Sequence, residues 1–407
     1  MRRVEKNQKK RVVIAMSGGV DSSVAAALLK EQGFDVIGIF MKLWAEPEFI
    51  LTSKVGMNKS ERENICCSVE ASTTARAVAN KLGIPFYIVN FEKEFKQAVV
   101  DYYVNEYEEG RTPNPCVICN RDIKGELLMR KATELDAQFL ATGHYALIIS
   151  DSVITNRQLP ITKKVSKSNN QTEKYHFYQG VDKNKDQTYF LWTLTQEKLA
   201  HLLFPVGGLT KQEVRNLAKK YELPTAERRE SQGICFVPDR NIGGFLRRYA
   251  QNLTEPGEIR NLEGKVIGQH DGLINYTIGQ REGLGLGGPK AYYVVRLNTK
   301  NNILVVGDEK DLYKKNLIAT HLNWINRPDF KSKNLGARIR HGHPIEKCTI
   351  KKLTNEEIEV IFQKAQRAVT PGQSIVFYGQ VLAKPQMASE NDELYAGQEV
   401  LGGGIIK

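Results

Sequence analysis

The sequence lacks an apolar run long enough to cross a membrane. A membrane-spanning helix needs about 18 consecutive apolar residues, and the longest runs in these 407 residues, such as 12–16 and 36–41, have only the length of strands. The basic start of the chain also lacks the apolar stretch of a secretory signal and the Ser-rich pattern of a transit peptide. We therefore expect no membrane association and a cytoplasmic location.

Cysteine is also scarce, with six residues in the whole chain. Without an export signal a disulfide framework is not expected, and each thiol is interpreted as buried, reactive or metal-binding. Adjacent cysteines are poor chelators, so we interpret Cys66 and Cys67 as structural or incidental. Cys348 lies in a β-rich stretch and is interpreted as a core or edge residue. The remaining thiols lie within longer motifs, at Cys116, Cys119 and Cys235.

Acidic residues are in the minority, with 46 Asp and Glu against 58 Lys and Arg, which gives a formal net charge of +12. Residues 1–11 contribute +5 of that charge, and we interpret residues 1–10 as a flexible basic tail. A second excess lies at 327–368, where Arg338 and Arg340 occupy alternate positions of a predicted strand. Such a face suits nucleic-acid phosphates, although a solvated strand face gives the same pattern.

Strand and helix patterns alternate through the first half of the chain. Apolar runs at 11–16, 36–41 and 86–90 are separated by helical patterns at 22–31 and 70–82. This order predicts an α/β fold with a doubly wound parallel sheet. Further helices are predicted at 92–108, 120–134, 187–194 and 211–221, and a further strand at 137–142.

The pattern changes from Cys235 onward, where glycine becomes frequent and short alternating runs predict strands. We expect a small β-rich central domain followed by a carboxyl-terminal β-barrel-like domain. Polar stretches at 46–64 and 151–174 are interpreted as surface insertions. The expected domains are an α/β domain at 11–230, the central domain at 231–315 and the barrel-like domain at 316–407.

The hexapeptide Ser17–Ser22 (SGGVDS) lies between the first predicted strand and the first predicted helix. Glycines let the backbone approach an anion, and a helix amino terminus adds partial positive charge. The motif differs from the Walker and G-x-G-x-x-G patterns and resembles the PP-loop of ATP pyrophosphatases, which cleave ATP between its α- and β-phosphates. Asp21 is interpreted as approaching an ATP-bound Mg²⁺ or as stabilising the turn. The expected ATP-binding residues, at the carboxyl ends of strands, are Ala15, Met16, Ser17, Gly18, Gly19, Val20, Asp21, Ser22, Met41 and Gly143.

Two further motifs carry thiols. Cys119 follows two prolines at the start of a predicted helix, and the helix amino terminus should lower the pKa of its thiol. Cys235 lies within 230–236 (ESQGICF), between polar residues and an apolar run. A lone cysteine is more often a small buried apolar residue, but two thiols in motifs of a chain with an ATP loop favour a chemical role.

Taken together, the motifs resemble those of the tRNA-specific 2-thiouridylases (the MnmA/TrmU family), over nearly all of residues 11–407. Besides SGGVDS they include GRTPNPCVICN, ATGHYA, KDQTYFLW, ESQGICFV, YTIGQREGLGLGG and EVLGGGII. The resemblance implies an enzyme that uses ATP and Mg²⁺ to replace the C2 oxygen of the wobble uridine, in the tRNA anticodon, by sulfur. It also implies an upstream sulfur carrier or cysteine desulfurase as a partner, and we expect a monomer.

The resemblance also implies roles for matching residues. ATP would adenylate the uracil C2 oxygen, a persulfide on Cys235 would deliver sulfur, and Cys119 would complete the transfer by forming a Cys119–Cys235 disulfide. The glycine-rich stretch Tyr276–Gly288 would order over the substrate, although a series of tight turns gives the same composition. Contacts to the target base are implied for Asn114, Pro115 and Cys116. Contacts to tRNA are implied for His144, Lys185, Asp186, Gln187, Arg340, His341 and Gln373.

The sequence departs from the common family pattern at one position, because many relatives have Asp where this chain has Cys116. A carboxylate proton shuttle at this position is therefore in doubt. An alternative is that Cys116, Cys119 and Cys235 hold a [4Fe–4S] cluster whose open iron binds sulfide. More distant alternatives are another PP-loop enzyme, such as a tRNA lysidine synthetase, GMP synthetase or NAD synthetase, and a non-catalytic RNA-binding protein.

Overall fold

The computed structural model describes residues 9–44, 68–151, 173–228, 233–237, 241–250, 252–287, 290–381 and 397–407. Most of the basic tail, the adjacent thiols Cys66 and Cys67, the insertion at 46–64 and most of that at 151–174 lie outside these residues. Within the described part of the chain, no helix combines the length and the apolar character that crossing a membrane requires.

Helices and strands alternate in the first half of the chain, and strands dominate the second half. The strands are β1 (Arg11–Ala15), β2 (Asp35–Lys42), β3 (Phe86–Asn90), β4 (Phe139–Ala141), β5 (Ala146–Ser150), β6 (Tyr175–Gln179), β7 (Leu202–Leu203), β8 (Gly257–Arg260), β9 (Val266–His270), β10 (Tyr293–Asn298), β11 (Ile303–Gly307), β12 (Tyr313–Trp324), β13 (Gly336–Arg338), β14 (Glu346–Lys352), β15 (Ile358–Arg367), β16 (Ser374–Val381) and β17 (Gln398–Ile406). The longer helices are α1 (Val20–Glu31), α2 (Val69–Leu82), α3 (92–108), α4 (115–134), α5 (Gln196–His201), α6 (Lys211–Lys220) and α7 (Ile242–Tyr249).

The amino-terminal part is built on a parallel sheet with the strand order β3-β2-β1-β4-β7. Alternate side chains of β1 enter two different apolar cores, Val12 and Ile14 on one face of the sheet and Val13 and Ala15 on the other. Because both faces of β1 are buried, its sequence is a continuous apolar run and not an alternation of apolar and polar residues. The expected doubly wound α/β fold is confirmed.

The helix predicted at 187–194 is wrong, because the segment forms only a short 3₁₀ turn at Thr188–Phe190. The carboxylate of Asp186 accepts hydrogen bonds from both the backbone N–H and the hydroxyl of Thr188, at 3.2 and 2.8 Å, and such local bonds compete with a helix. An aromatic residue of this segment instead reaches the barrel. The Trp192 indole donates to the Ser374 hydroxyl at 3.0 Å.

The carboxyl-terminal part forms a closed barrel, as expected. Its strands follow the order β12-β15-β14-β13-β16-β17, and the pairing of β12 with β17 closes the ring. The hairpin of β5 and β6 extends the same sheet, because Tyr178 in β6 pairs with Glu399 in β17. The α/β part and the barrel also share an apolar core that includes Trp192 and Val376. The barrel is therefore joined directly to the sheet that precedes the loop Ser17–Ser22.

A small sheet with the order β10-β11-β8-β9 lies between these parts in the chain. It has an apolar core of its own, which includes Ile259, Val294 and Leu304. The expectation of a β-rich central domain is thereby confirmed.

Candidate active site

The hexapeptide Ser17–Ser22 forms a tight loop between β1 and α1. Gly19, which has no side chain, occupies the capping position of the helix. Gly18 has a φ of +74°, and a Cβ on it would lie 2.4 Å from a backbone carbonyl oxygen of α2, so that only glycine fits. The Ser22 hydroxyl accepts a hydrogen bond from the Ser17 N–H at 3.2 Å and closes the loop. The helix start therefore offers backbone N–H groups to an anion.

The other residues expected to bind ATP lie beside this loop. A Cβ built on Gly143, just after β4, would lie 2.7 Å from the backbone nitrogen of Ser22. Met16 follows β1 and donates its N–H to Ile39 in β2 at 2.8 Å, and Met41 is the penultimate residue of β2. The ends of three strands thus meet the start of α1, at the edge where α/β sheets bind ligands. The buried residues that flank the loop are Ala15 and Val20.

Asp21 is held by two side chains from other parts of the α/β domain. Lys211, the first residue of α6, places its ammonium 2.7 and 2.8 Å from the two carboxylate oxygens. The Tyr145 hydroxyl donates to the same carboxylate at 2.7 Å. Because the Lys211 side chain is only 12% exposed, the pair is shielded from water on one side. Asp21 therefore joins α1 to α6, and its charge is matched by Lys211.

His144 follows Gly143 and lies between two polar partners. Its Nδ1 is 2.7 Å from the Thr142 hydroxyl, and its Nε2 is 3.4 Å from the Lys124 ammonium. An ammonium only donates, so Nε2 accepts and Nδ1 carries the proton. Burial, and then the charge of Lys124, hold the pKa of His144 well below its ordinary value. The imidazole is therefore neutral at pH 7, and Lys124 connects the helix of Cys119 with the end of β4.

Two of the thiols expected to carry the chemistry contact one apolar cluster. Helix α4 begins at Pro115, so Cys116 lies in its first turn and Cys119 in its second. Cys119 is 8% exposed and belongs to a cluster against which Cys235 packs. Met41, near the carboxyl end of β2, packs against the same cluster. The two catalytic candidates and the carboxyl end of β2 therefore share an apolar environment.

Phe236 anchors the residue next to it, Cys235. Its ring is 1% exposed, and its centroid lies 5.3 Å from that of Tyr103 in α3 and 5.4 Å from that of Phe245 in α7. Burial raises the pKa of Tyr103, and the nearby Cys116 contributes to the shift. The aromatic cluster thus lies between the chain segments of two thiols.

The described residues do not fit a [4Fe–4S] cluster. No group of three or more His, Cys, Asp or Glu side chains that could hold a metal occurs among them, so Cys116, Cys119 and Cys235 do not form the ligand set that such a cluster needs. Mg²⁺ is usually held by one or two carboxylates, by water and by the phosphates of the substrate. Both oxygens of the Asp21 carboxylate already contact the Lys211 ammonium, so these contacts favour the interpretation of Asp21 as a residue that stabilises the turn.

Asp186, expected to contact tRNA, is directed into the protein. It is 2% exposed, and its carboxylate accepts a hydrogen bond from Gln179 at 2.7 Å and lies 3.5 Å from the guanidinium of Arg338. The Arg338 side chain is 13% exposed and lies over the ring of Tyr378. The expectation that Arg338 belongs to a basic surface is therefore wrong, because its charge is matched by Asp186 inside the protein.

Lys185 and Gln187, the two sequence neighbours of Asp186, are half-buried. The side-chain oxygen of Gln187 accepts the backbone N–H of Tyr145 at 3.1 Å. The N–H of Lys185 donates to the carbonyl of Asp182 at 3.0 Å. Gln187 therefore helps to hold Tyr145, which in turn reaches the nucleotide loop.

Arg340 and His341 lie on the barrel side of the junction with the α/β domain. The guanidinium of Arg340 donates to the Thr370 hydroxyl at 2.9 Å. The exposed His341 ring lies 4.6 Å from the ring of Phe190, centroid to centroid. The junction thus presents a cation and an exposed imidazole side by side.

Gln373 connects the barrel by hydrogen bonds to residues 112–113, which precede the helix that carries Cys116 and Cys119. Its Nε2 donates to the carbonyl oxygens of Thr112 at 2.8 Å and Pro113 at 3.3 Å. The N–H of Thr112 donates in turn to the carbonyl of Pro371 at 2.9 Å. Asn114, which follows in extended conformation, precedes α4. A residue expected to contact tRNA therefore makes a contact within the protein.

Three cationic residues of this region were missed by sequence reasoning. Lys124, Lys211 and Arg228 belong to no recognised motif, and only long-range contacts bring them to the loop or to His144. The one local signal was the position of Lys211 directly after Thr210, at the start of a helix with a capping box.

These features define a PP-loop-type α/β domain that is joined to two β domains and contains an apolar cluster contacted by Cys119, Cys235 and Met41. Residues 10–239 match the model described as tRNA methyl transferase HUP domain, residues 243–308 the tRNA methyl transferase PRC-barrel domain, and residues 314–382 the aminomethyltransferase β-barrel domain.

Similar curated proteins span the full chain. The chain is 45% identical to a tRNA-specific 2-thiouridylase MnmA of Symbiobacterium thermophilum, over 98% of this chain and 92% of the relative. It is 46% identical to the protein of the same name from Geotalea uraniireducens, over 99% of this chain and 96% of the relative. The chain belongs to the tRNA-specific 2-thiouridylase family. The matches favour this family over another PP-loop enzyme or a non-catalytic RNA-binding protein.

Proposed function

We propose that the protein is a tRNA sulfurtransferase that converts the wobble uridine to 2-thiouridine with ATP and Mg²⁺. The observation that carries the proposal is that Cys119 and Cys235 contact one apolar cluster, against which Met41 of the nucleotide edge also packs. Activation of a uracil oxygen by ATP and transfer of sulfur by thiols both need such a shared site. Membership of the thiouridylase family supports the choice of substrate.

In the first half-reaction, the C2 oxygen of the uracil attacks the α-phosphate of ATP, and pyrophosphate leaves. The loop Ser17–Ser22 and the start of α1 stabilise the phosphates through backbone N–H groups. The target base leaves the anticodon stack, as modification of a base generally requires. Asn114, Pro115 and Cys116, at the start of α4, contact it.

In the second half-reaction, the terminal sulfur of a Cys235 persulfide attacks C2, and AMP leaves with the original oxygen. The Cys119 thiolate then attacks Cys235 Sγ, which breaks the S–S bond to the transferred sulfur and forms a Cys119–Cys235 disulfide. The thiocarbonyl of 2-thiouridine remains on the tRNA. A thiol reductant supplies two electrons to reopen the disulfide, and a sulfur carrier or cysteine desulfurase renews the persulfide.

A cleft between the central sheet and the barrel suits the phosphates of the same tRNA. Its volume is about 650 Å³, and the described residues that line it include Arg260, Arg296, Lys314 and Lys407, of which Arg260 is paired with Glu258 and Lys407 with Glu357. Contacts of this kind position RNA without reading its bases.

We propose that the protein acts as a monomer, in the cytoplasm.

Thiolation of unmodified tRNA tests the function directly. The protein is incubated with tRNA, ATP, Mg²⁺, cysteine and a cysteine desulfurase, and 2-thiouridine is quantified by nucleoside mass spectrometry. Cys119→Ser and Cys235→Ser should each lose at least about 100-fold in rate, as removal of a nucleophile does. Cys348→Ser is the matched control, because this thiol is buried in the barrel core and not in the apolar cluster that contains Cys119. Absence of 2-thiouridine from the parent protein would contradict the proposal.

A Cys116→Ala variant separates the two routes for sulfur. The persulfide route uses Cys116 only as a contact to the base, so this variant should retain activity and the purified parent protein should be free of iron. Iron in the parent, lost together with activity in Cys116→Ala, would support the cluster route instead.

A further inference from the structure

Lys124 in α4 is a half-buried cation whose described contacts leave its charge uncompensated. Its ammonium lies 3.4 Å from Nε2 of His144, an imidazole that is neutral and only accepts at this nitrogen. Among the residues that the structure describes, no Asp or Glu pairs with Lys124. Lys198, which also approaches this helix, differs because it pairs with Glu126 at 3.2 Å. Lys124 is therefore able to take an anionic partner.

The shape of α4 places Lys124 on the same side of the helix as Cys119. Residues Cys119–Leu128 form a π-helix, in which hydrogen bonds join residues five apart, so that such residues lie one above the other. Cys119 and Lys124 are five positions apart. The wide turn also requires Gly125, because a Cβ there would lie 2.8 Å from the carbonyl oxygen of Asn120, five positions earlier. One face of α4 therefore carries both a thiol and a cation.

His144 connects this cation to the loop Ser17–Ser22. Gly143, the residue before His144, approaches the start of α1 so closely that a Cβ on it would lie 2.7 Å from the backbone nitrogen of Ser22. In the proposed reaction the α-phosphate of ATP meets the target base, so it lies between this loop and the start of α4. A phosphate oxygen is an ionised acceptor, and bonds to ionised acceptors are roughly twice as strong as bonds to neutral ones such as the imidazole.

We propose that Lys124 is a catalytic residue that binds a non-bridging oxygen of the α-phosphate and stabilises the charge that develops there during adenylation. This role rests on the proposed function. As the uracil C2 oxygen forms its bond to the α-phosphorus, the bond from that phosphorus to the pyrophosphate oxygen breaks, and the N3 proton of the uracil passes to solvent. Lys124 remains protonated throughout and acts as a fixed cation on the transferred group.

Calorimetric titrations with AMP, adenosine and pyrophosphate, all in the presence of Mg²⁺, test the contact with the α-phosphate. The parent protein should bind AMP more tightly than adenosine, and Lys124→Met should weaken the binding of AMP about tenfold or more. The affinities for adenosine and for pyrophosphate should stay within about twofold of the parent, because neither ligand presents an α-phosphate. Lys124→Arg keeps the charge and should retain part of the AMP affinity. Lys131→Met is the matched control, because Lys131 lies on the same helix and pairs with Glu134 at 2.8 Å.

The adenylation half-reaction provides a kinetic measurement of the same contact. Parent and variants are mixed with tRNA and saturating ATP in the absence of a sulfur donor, and the release of pyrophosphate in the first turnover is followed. Lys124→Met should release it about 100-fold more slowly, as the loss of a group that stabilises a developing charge does. Lys131→Met should release it at the rate of the parent.

The proposal is overturned if the parent binds AMP no better than adenosine, or if Lys124→Met binds AMP as the parent does. A loss confined to pyrophosphate would place Lys124 at the leaving group and would also overturn it. Thermal unfolding identifies a variant that does not fold, and Lys124→Gln then gives the same comparison. The titrations need neither tRNA nor sulfur. A parent that makes no 2-thiouridine but loses AMP affinity in Lys124→Met would therefore contradict the proposed function and support the contact of Lys124 with the α-phosphate.

Discussion

Asp186 and Arg338 form an ion pair that lies almost wholly inside the protein. Replacing Asp186 by Asn leaves the guanidinium buried without a counter-charge, which costs about 3–5 kcal/mol in such a setting. We expect D186N to lower the free energy of unfolding of the parent by about 3 kcal/mol, measured by urea denaturation. The KM for tRNA should change little, because the carboxylate does not reach the surface.

Two further variants serve as controls for the stability measurement on D186N. The double variant with Arg338→Met should recover part of the loss, because both charges are then absent. Asp101→Asn removes an exposed pair with Lys96 and should cost less than about 1 kcal/mol. An unchanged stability of D186N together with a raised KM for tRNA would instead make Asp186 a tRNA contact.

His144 gives the protein a predictable response to acid. Its pKa in the folded state lies below the ordinary value of 6.5, first because of burial and then because of Lys124. Above pH 6.5 the imidazole is neutral in both states; below it, the unfolded chain binds a proton that the folded protein does not. Stability contributed by this residue is therefore lost as the pH falls below 6.5, at up to about 1.4 kcal/mol per pH unit.

We expect His144→Asn to show a shallower fall in melting temperature than the parent between pH 7.5 and about 5.5. The slope should decrease rather than vanish, because burial also lowers the pKa of His270 and His343. Identical pH profiles for parent and variant would show that His144 is not shielded from protonation in the folded protein.

At the level of elements, the proposed nucleotide site depends on how closely the end of β4 approaches the start of α1. A Cβ at position 143 would lie 2.7 Å from the backbone nitrogen of Ser22 and 2.9 Å from the carbonyl carbon of Asp21. Gly143→Ala must therefore move one element against the other. We expect a loss of about 100-fold in kcat/KM for ATP, since a displacement of an ångström at a reacting centre costs about this much.

The matched control for Gly143→Ala is Gly243→Ala in α7. The nearest atoms to a Cβ at position 243 are the side-chain oxygens of Asn275 and Asn241, at 3.1 and 3.9 Å, and these side chains can adjust. Alanine also favours the helix. Equal steady-state kinetics for Gly143→Ala and the parent would show that the two elements move apart freely.

Elements were predictable where local pattern decides the structure. The strand expected at 86–90 coincides with β3, and the helices expected at 22–31 and 70–82 differ from α1 and α2 by two residues or fewer. The segment 187–194 failed because its structure is decided by distant partners. Its apolar residues are buried against the barrel, and Asp186 fixes a local turn. A single apolar run does not distinguish such a turn from a helix.

At the level of the whole molecule, motifs identified the loop and the thiols but not what holds them. Ser17–Ser22 carries its own turn and helix start, so a short pattern suffices to recognise it. The contact of Arg228 with Gly18 joins residues 210 positions apart, and that of Gln373 with Thr112 joins residues 261 positions apart. Such contacts depend on how distant parts of the chain pack, within one domain for Arg228 and between two for Gln373, and no local pattern in one sequence encodes them.

The contact between Gln373 and the segment before α4 connects the barrel to the helix that carries Cys116 and Cys119. Its side-chain amide donates to the carbonyls of Thr112 and Pro113, and these residues lead into Asn114 and the first turn of α4. The barrel therefore holds the approach to Cys116 and Cys119 by a contact that spans two domains. Loss of that contact should disturb the placement of the thiols more than the binding of the nucleotide.

We expect Gln373→Ala to lower kcat for thiolation about tenfold, because small misplacements of reacting groups are costly, with the KM for ATP and the KM for tRNA both within about twofold of the parent. Gln212→Ala is the control, because Gln212 is an exposed residue that donates to Asn216 on α6. Steady-state kinetics with varied tRNA and ATP distinguish the two roles of Gln373. A raised KM for tRNA at unchanged kcat would show that Gln373 binds the substrate, whereas a lowered kcat at unchanged KM shows that it positions the thiol segment from the barrel.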